Sequence, residues 1–179
     1  MSEAFALLRA LGERARRFAE PLPRARAAAA TWRGLGISIG GIRFVTALGE
    51  ATEVLTWPRL TQVPGAAPWL LGVANVRGKL LPVTDTHRFF GLATPRPRQL
   101  WRVLVVVQRE HAFGLAVEQS HGIQQFAPES RSRPTVDLGR IDRFVEGAYA
   151  EGGRLWHVLS LAEVARDARF IDAAQRSAA

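Results

Sequence analysis

Two stretches of the sequence resemble motifs that present a nucleophile or bind a phosphate. Gly36 to Gly40 has the G-x-S-x-G spacing of a nucleophile elbow, which needs a strand-to-helix turn to expose its serine. A Gly-Gly turn and a second strand pattern follow here, so Ser38 is interpreted as a residue on the polar face of a β-strand. Gly72 to Lys79 resembles a phosphate-binding loop, but it has one residue too many between its glycines, and Leu80 replaces the Ser or Thr that Mg²⁺ requires. Neither motif predicts catalysis.

The remaining groups that could do chemistry are dispersed. The four histidines, at positions 87, 111, 121 and 157, have no short ligand spacing, and the chain contains no cysteine to complete a zinc site. The sequence places no pair of carboxylates for acid–base work. We therefore expect no enzymatic activity, no metal and no cofactor.

Composition and charge narrow the class of protein. The 179 residues are 47% apolar, and no apolar run approaches the roughly 20 residues that cross a bilayer. With no cysteine, a cytoplasmic, reducing compartment is expected. The net charge of +8 raises the alternative of a nucleic-acid-binding SH3-like or OB-like barrel. Residues 1–33, however, hold seven Arg and three Glu, so half of the excess charge lies in a segment that precedes the β-rich region.

The secondary-structure pattern changes near residue 32. Residues 2–20 have an apolar stripe at helical spacing, and Arg24 to Trp32 predicts a second short helix, so residues 1–31 are predicted to be a helical extension. From Leu35 onward apolar residues alternate as in strands, and a second β series begins near Val103. Ser160 and Glu163 have the spacing of a capping box, which predicts a closing helix with Leu161, Val164, Ala168 and Ile171 on one face.

The stretch from Gln62 to Leu92 has the most specific pattern. Apolar runs flank Arg77-Gly78-Lys79, which predicts a hairpin with Asn75, Arg77 and Lys79 exposed at its tip. Asp85 is suited to cap a short helix through Phe90, and Gly91 to end it in the left-handed conformation. Residues 49–54 leave room for only one or two helical turns after the first hairpin.

A weak internal repeat relates the two halves of the β-rich region. Superposing Gly72 on Gly147 matches Leu80 with Leu155, and superposing Phe44 on Phe113 matches Ala47 with Ala116. Two all-β halves of about 70 residues are implied, each with a first hairpin, a Pro-rich connector and a second hairpin. Two small barrels side by side would fit this pattern, with a groove between them that could hold a partner.

The segment VPGAAPWLLGVANVRGKLLPVTD resembles the CheW-like domain, whose signature is a V-P-x-x-P turn, an apolar G-V-x-N-x-R-G strand and an apolar-P-V-x-D strand. The resemblance implies a mostly β domain over residues 32–176, made of two five-stranded SH3-like β-barrels with a C-terminal helix. It also implies a non-catalytic adaptor that couples methyl-accepting chemoreceptors to a CheA-type histidine kinase in membrane-associated arrays, where other CheW-like proteins are further partners. The Arg-rich N-terminal segment and the residues GVANVRGKLLP of the motif resemble those of family members in type IV pilus (twitching-motility) systems.

The resemblance also implies two sets of site residues. The kinase's CheW-like regulatory domain would contact the hairpin through Gly72, Asn75, Val76, Arg77, Gly78 and Lys79. The receptor tip would contact the groove through Leu48, Ala51, Glu53, Val54, Arg77 and Val117. Family members have a glutamate 24 residues before the motif arginine; Glu53 and Arg77 keep that spacing and are expected to form an ion pair.

Overall fold

The computed structural model describes residues 31–95, 97–108, 111–133 and 137–170. The predicted N-terminal helices lie in residues 1–30, outside the described part, but Trp32, predicted to end the second of them, instead begins the first strand. The strands are β1 (Trp32–Ile39), β2 (Ile42–Ala47), β3 (Glu53–Thr56), β4 (Leu70–Val76), β5 (Lys79–Asp85), β6 (Arg102–Gln108), β7 (His111–Val117), β8 (Gln119–Phe126), β9 (Arg131–Ser132), β10 (Val145–Glu151) and β11 (Arg154–Leu159). The helices are α1 (Thr86–Phe90) and α2 (Leu161–Arg166), with 3-10 turns at Arg98–Leu100, Pro128–Ser130 and Gly139–Phe144.

The strands form two curled sheets, which confirms the prediction of a mostly β protein with SH3-like barrels. Sheet 1 has the order β8-β1-β2-β11-β10-β9, and sheet 2 has the order β3-β6-β7-β5-β4. In sheet 2, Thr61 and Val73 exchange backbone hydrogen bonds of 2.9 and 2.8 Å, which joins the segment after β3 to β4 at the opposite edge. The sheet is thereby curled closed.

The division into two barrels does not follow the order of the chain. The sequence implied two halves with two hairpins each, and it left open whether strands are exchanged between the barrels. The β1–β2 hairpin shares sheet 1 with β10–β11 of the second half, and the β6–β7 hairpin shares sheet 2 with β4–β5 of the first half. The parallel pairs β2–β11 and β5–β7 join the hairpins across the halves.

The internal repeat itself is visible in the register of these strands. Val45 pairs with Val158 in sheet 1, and the residues matched to them by the repeat, Gly114 and Val83, pair in sheet 2. The register shifts at Leu70/Gly72 in β4 and at Val145/Gly147 in β10, which are also matched positions. Two copies of one strand pattern therefore build the two barrels by exchanging hairpins.

In the described part of the chain, three apolar clusters hold the sheets together, and strand alternation distributes residues among them. Val103 and Val105 face a core inside barrel 2, the barrel that sheet 2 forms (sheet 1 forms barrel 1), whereas Leu104 and Val106 face a larger core shared by elements of both sheets. Phe126, Tyr149 and Trp156 form a third core inside barrel 1. A strand such as β6 is buried on both faces, which is why its sequence is an unbroken apolar run.

Two local predictions differ from the structure. Glu53 lies on strand β3, which pairs with β6, instead of at the end of a helical turn. The closing helix α2 ends at Arg166 because Asp167 is extended, with φ −62° and ψ 126°, so the predicted stripe does not lie on one continuous helix through Ala168. Within the described ranges, no helix is long and apolar enough to cross a bilayer.

Candidate partner-binding site

The tip of the β4–β5 hairpin is a tight turn centred on Arg77 and Gly78. Both residues have positive φ, 53° and 80°, as a two-residue hairpin turn of the I′ type requires. The Gly78 backbone N–H donates a 2.9 Å hydrogen bond to Oδ1 of Asn75. Asn75, Arg77, Gly78 and Lys79 are all exposed, as the sequence predicted. The turn therefore presents a fixed backbone and two cationic side chains to the solvent.

An ion pair connects this tip to strand β3. Nη2 of Arg77 lies 2.7 Å from Oε1 of Glu53, which confirms the contact expected from their spacing. The Arg77 side chain is 79% exposed and that of Glu53 is 31% exposed. Exposed pairs contribute only about 0–1 kcal/mol to stability, so the pair's main structural effect is to hold the arginine against the edge of the sheet.

Two residues of the predicted kinase-binding set, Gly72 and Val76, are involved mainly in packing within the fold. Gly72 is buried at the β4 bulge with φ +142°, and a Cβ there would lie 2.3 Å from the carbonyl oxygen of Thr61. Val76 is half-buried and packs against the core of barrel 2. Gly72 thus permits the close approach that closes the barrel and offers a partner no side chain.

The predicted receptor-binding residues are partly accessible. Leu48 and Val54 are exposed apolar side chains, and Ala51, which bridges to Leu48, packs against the shared core. Val117 is 0% exposed within that core, so its side chain is not available to a partner. Its burial follows from the alternation of side chains along β7, in which Leu115 and Val117 face the shared core.

One accessible residue near the tip was missing from the predicted set. Leu80 is 74% exposed and pairs across the hairpin with Asn75. The signal was present in the sequence, because alternation that buries Leu81 and Val83 must direct Leu80 outward. The hairpin therefore presents an apolar side chain beside its cationic tip.

Polar contacts behind the hairpin fix the segment that follows β5. Asp85 is fully buried and caps α1 by accepting hydrogen bonds from the backbone N–H groups of His87 and Arg88, at 3.1 and 3.2 Å. Arg98 also donates to Asp85, over 2.7 Å. Burial opposes ionisation of Asp85, but the His87 side chain, the Arg88 backbone N–H and the Arg98 charge outweigh it and lower its pKa. Gly91 ends α1 with φ 80°, which confirms the predicted cap at both ends.

A second acidic residue, which sequence reasoning missed, joins the first hairpin to α2. Glu50 accepts hydrogen bonds from the backbone N–H groups of Leu161 and Ala162, at 3.2 and 3.4 Å. It also contacts the hydroxyls of Thr46 and Ser160. No local pattern marks this contact, because more than one hundred residues separate Glu50 from the helix it caps.

This arrangement defines a class of protein, since the signature segment forms the exposed hairpin of a double barrel with exchanged strands. A family model described as the CheW-like domain matches residues 33–169. The chain belongs to the CheW-like domain family, and it is a non-catalytic scaffold protein of chemotaxis-type systems.

Particular relatives are similar over different lengths. Protein PilI of Pseudomonas aeruginosa is 38% identical over 171 residues, covering 95% of this chain and 96% of that protein. The chemotaxis protein CheW of Bacillus subtilis is 24% identical over 122 residues, covering 68% of this chain and 78% of that protein. The crystal structure of the scaffolding protein TtCheW from Thermoanaerobacter tengcongensis matches with a TM-score of 0.64 at 21% identity, covering 73% of this chain and 90% of that one. This structural similarity supports the assignment of the fold.

Proposed function

We propose that this protein couples methyl-accepting chemoreceptors to a CheA-type histidine kinase in a type IV pilus chemosensory system. It would act from the cytoplasm, within membrane-associated arrays that also contain other CheW-like proteins. The observation that carries the proposal is the exposed β4–β5 tip, in which the family's signature residues form a hydrogen-bonded, solvent-facing turn. A rigid loop loses little conformational entropy on binding, which favours its use as a contact.

The kinase-facing surface in this proposal consists of the tip and the outward face of β5. Asn75, Arg77, Gly78 and Lys79 supply polar and backbone groups, and Leu80 supplies apolar area. Interfaces commonly combine an apolar contact with a polar rim, and Leu80 beside Lys79 has this character. The partner would be the CheW-like regulatory domain of the kinase.

The receptor-facing surface would lie beside the first surface and share Arg77 with it. Leu48 and Val54 are exposed apolar residues suited to a helical receptor tip, while Glu53 and Arg77 supply charge. Val117 would contribute only by supporting Ala51 from within the shared core.

The pilus assignment rests on how much of the chain the relatives cover. The similarity to PilI spans 171 residues, whereas the family model covers residues 33–169, so the similarity to PilI extends beyond the domain itself. The CheW relative from Bacillus subtilis covers 68% of the chain. A shared segment outside the domain favours a shared system. We further propose that residues 1–31 form a separate extension to a domain spanning residues 32–176.

Calorimetry with the regulatory domain of a pilus-type kinase tests the kinase contact. Gly78→Asp should weaken binding at least about tenfold, because it places a side chain and a negative charge at the centre of the contact. Gly65→Asp is a matched control, since Gly65 also has positive φ (72° against 80°) and open space around it, but lies in the connector before β4. Equal affinities for the two variants would show that the tip is not the contact.

A further inference from the structure

One end of barrel 1 has polar and cationic side chains where a barrel interior is normally apolar. Ser38 pairs with Arg43 across the β1–β2 hairpin, so the two side chains lie on the same face of the sheet. Val45, two residues after Arg43 along β2, lies on the same face and belongs to the barrel 1 core. Ser38 and Arg43 therefore lie where the interior opens beside the Gly40-Gly41 turn. We call this opening the barrel 1 mouth and define it by Ser38, Arg43, His121, Arg154 and Trp156.

Direct contacts connect four residues of the mouth, Ser38, Arg43, His121 and Trp156. The Ser38 hydroxyl lies 2.7 Å from Nε2 of His121, and the His121 ring packs edge-on against Trp156 at 5.4 Å between centroids. The Arg43 guanidinium lies over the same Trp156 ring at 5.6 Å. Gly36 makes room for this packing, because a Cβ there would lie 2.8 Å from the Trp156 ring. Both the His121 ring and the Arg43 guanidinium therefore pack against the Trp156 ring.

The matched positions of barrel 2 show that the fold does not require this chemistry. The repeat that places Phe44 on Phe113 places Ser38 and Arg43 on Val107 and Ala112, which pair in the same way across β6–β7. The repeat that places Gly72 on Gly147 matches Trp156 with Leu81, which is buried in the barrel 2 core. At the equivalent place barrel 2 thus has apolar residues, of which Leu81 is buried and Val107 is exposed. The polar groups of barrel 1 need another explanation.

The local charge is positive and largely uncompensated. Among the described residues, neither Arg43 nor Arg154 forms a salt bridge. Glu151 pairs with Arg154 across the β10–β11 hairpin and is the acidic side chain nearest to it in register. The pKa of His121 is lowered, first by its partial burial and then by the charges of Arg43 and Arg154. When its Nε2 carries no proton, the ring accepts a hydrogen bond from the Ser38 hydroxyl.

We propose that the barrel 1 mouth is a binding site for a carboxylate or phosphate group. Arg43 and Arg154 supply the two positive charges, and the Ser38 hydroxyl, released from His121, donates a hydrogen bond to the anion. His121 takes up a proton as the anion enters, because an adjacent negative charge favours the imidazolium. The anion comes either from an acidic or phosphorylated segment of another protein or from a free ion. The site is separate from the β4–β5 tip, which belongs to the other sheet.

The test is a titration of the full chain followed by the NMR signal of the His121 Hε1 proton. Inorganic phosphate, a blocked pentaglutamate peptide and a blocked phosphoserine peptide are added separately at pH 7 and constant ionic strength. We expect a saturable shift with at least one of the three, and a higher His121 pKa when that probe is saturating. A response to phosphate alone identifies a free ion, and a tighter response to either peptide identifies a protein segment.

Matched variants separate a site from diffuse attraction. Arg43→Gln and Arg154→Gln should each raise the dissociation constant about tenfold, the loss expected for a charge-assisted hydrogen bond. Arg59→Gln removes the same charge from the exposed connector after β3 and should leave the constant unchanged. Glu151→Gln should lower it. No saturable shift with any probe, or an equal loss in Arg59→Gln, overturns the proposal, provided that backbone signals elsewhere show each variant folded.

Discussion

At the scale of single residues, Arg77 combines two uncommon properties. It is a non-glycine residue with positive φ, and its side chain forms an ion pair with Glu53 although it is mostly exposed. Neither property contributes much to stability, since an exposed pair is worth about 0–1 kcal/mol and positive φ is unfavourable for a side chain with a Cβ. Both make sense if Arg77 must be held in one orientation for a partner.

A charge exchange tests this role of Arg77. Arg77→Glu should reduce coupling between receptor and kinase, because a desolvated charge contact costs about 2–5 kcal/mol of binding when one partner is lost. The melting temperature should change by less than about 4 °C, since little stability is involved. The measurement is kinase activity in reconstituted receptor arrays.

The double variant provides the control for that experiment. Adding Glu53→Arg to Arg77→Glu restores an ion pair of opposite polarity and should recover part of the lost activity. Strictly additive losses in the two single variants and the double variant would mean that the residues act independently, and the pair would then have no shared role in coupling.

At the scale of elements, the two short helices are matched parts of the internal repeat. Asp85 caps α1 after β5, and Ser160 caps α2 after β11, at positions related by the same superposition as Gly72 and Gly147. The backbone N–H of Asp85 donates to the carbonyl of Trp69, and that of Ser160 donates to the matched carbonyl of Phe144. The caps differ in charge, because Asp85 also binds Arg98 whereas Ser160 is approached by Glu50.

Substitution of the two caps should have unequal effects. Ser160→Ala should cost about 1 kcal/mol, the usual value for a lost cap. Asp85→Ala should cost about 3 kcal/mol, because it removes a cap and also leaves Arg98 without its buried partner. Urea unfolding of both variants measures the difference. Equal losses would mean that the Arg98 contact adds nothing to the stability of the folded chain.

At the scale of the whole molecule, His87 links the two sheets. It lies on α1, which follows β5 of sheet 2, and its Nε2 lies 2.8 Å from Oε1 of Glu118, whose Oε2 accepts from the Gly41 backbone N–H in the β1–β2 turn. When unprotonated, Nε2 accepts a hydrogen bond from the Gly40 backbone N–H over 3.0 Å, and Nδ1 lies 3.7 Å from Asp85. Burial alone would lower the pKa of His87, but the Asp85 and Glu118 carboxylates outweigh it and raise the pKa above 6.5.

This raised pKa predicts the sign of a pH effect on stability. The protonated ring is favoured in the folded state, so its contribution is complete below pH 6.5 and is lost as the pH rises through the higher folded value. The difference in unfolding free energy between the parent and His87→Gln should therefore shrink as the pH rises from 6.5 into the alkaline range. His111→Gln, at an exposed position, is the control. A difference that stays constant over this range would contradict the assignment.

Removal of the N-terminal segment tests the proposed domain boundary. All eleven described strands lie between Trp32 and Leu159, so deletion of residues 2–30 should leave the melting temperature of the barrels nearly unchanged. Recruitment of the shortened protein to receptor arrays should weaken. A truncated chain that fails to fold would place the boundary elsewhere, since the segment would then complete the core.

The sequence by itself determined the main hairpins, both ends of α1 and the class of protein. Period-two alternation located the hairpins, and glycines, which have positive φ in the structure, located their turns. Asp85 and Gly91 predicted the two ends of α1. Each of these signals involves residues close together in the chain. The signature segment around Arg77 identified the family, and the family's 24-residue spacing to Glu53 predicted an ion pair that the structure contains.

Only the tertiary structure decided which hairpins share a barrel. The repeat made the two halves alike, so each second hairpin could pair with either first hairpin, and local pattern does not distinguish the two pairings. The exchange appears in the parallel contacts β2–β11 and β5–β7, which join residues far apart in sequence. The burial of Val117 and the hydrogen bonds between Glu50 and α2 depend on the same long-range arrangement. A residue's exposure is set by the elements that pack against it and not by its neighbours in sequence.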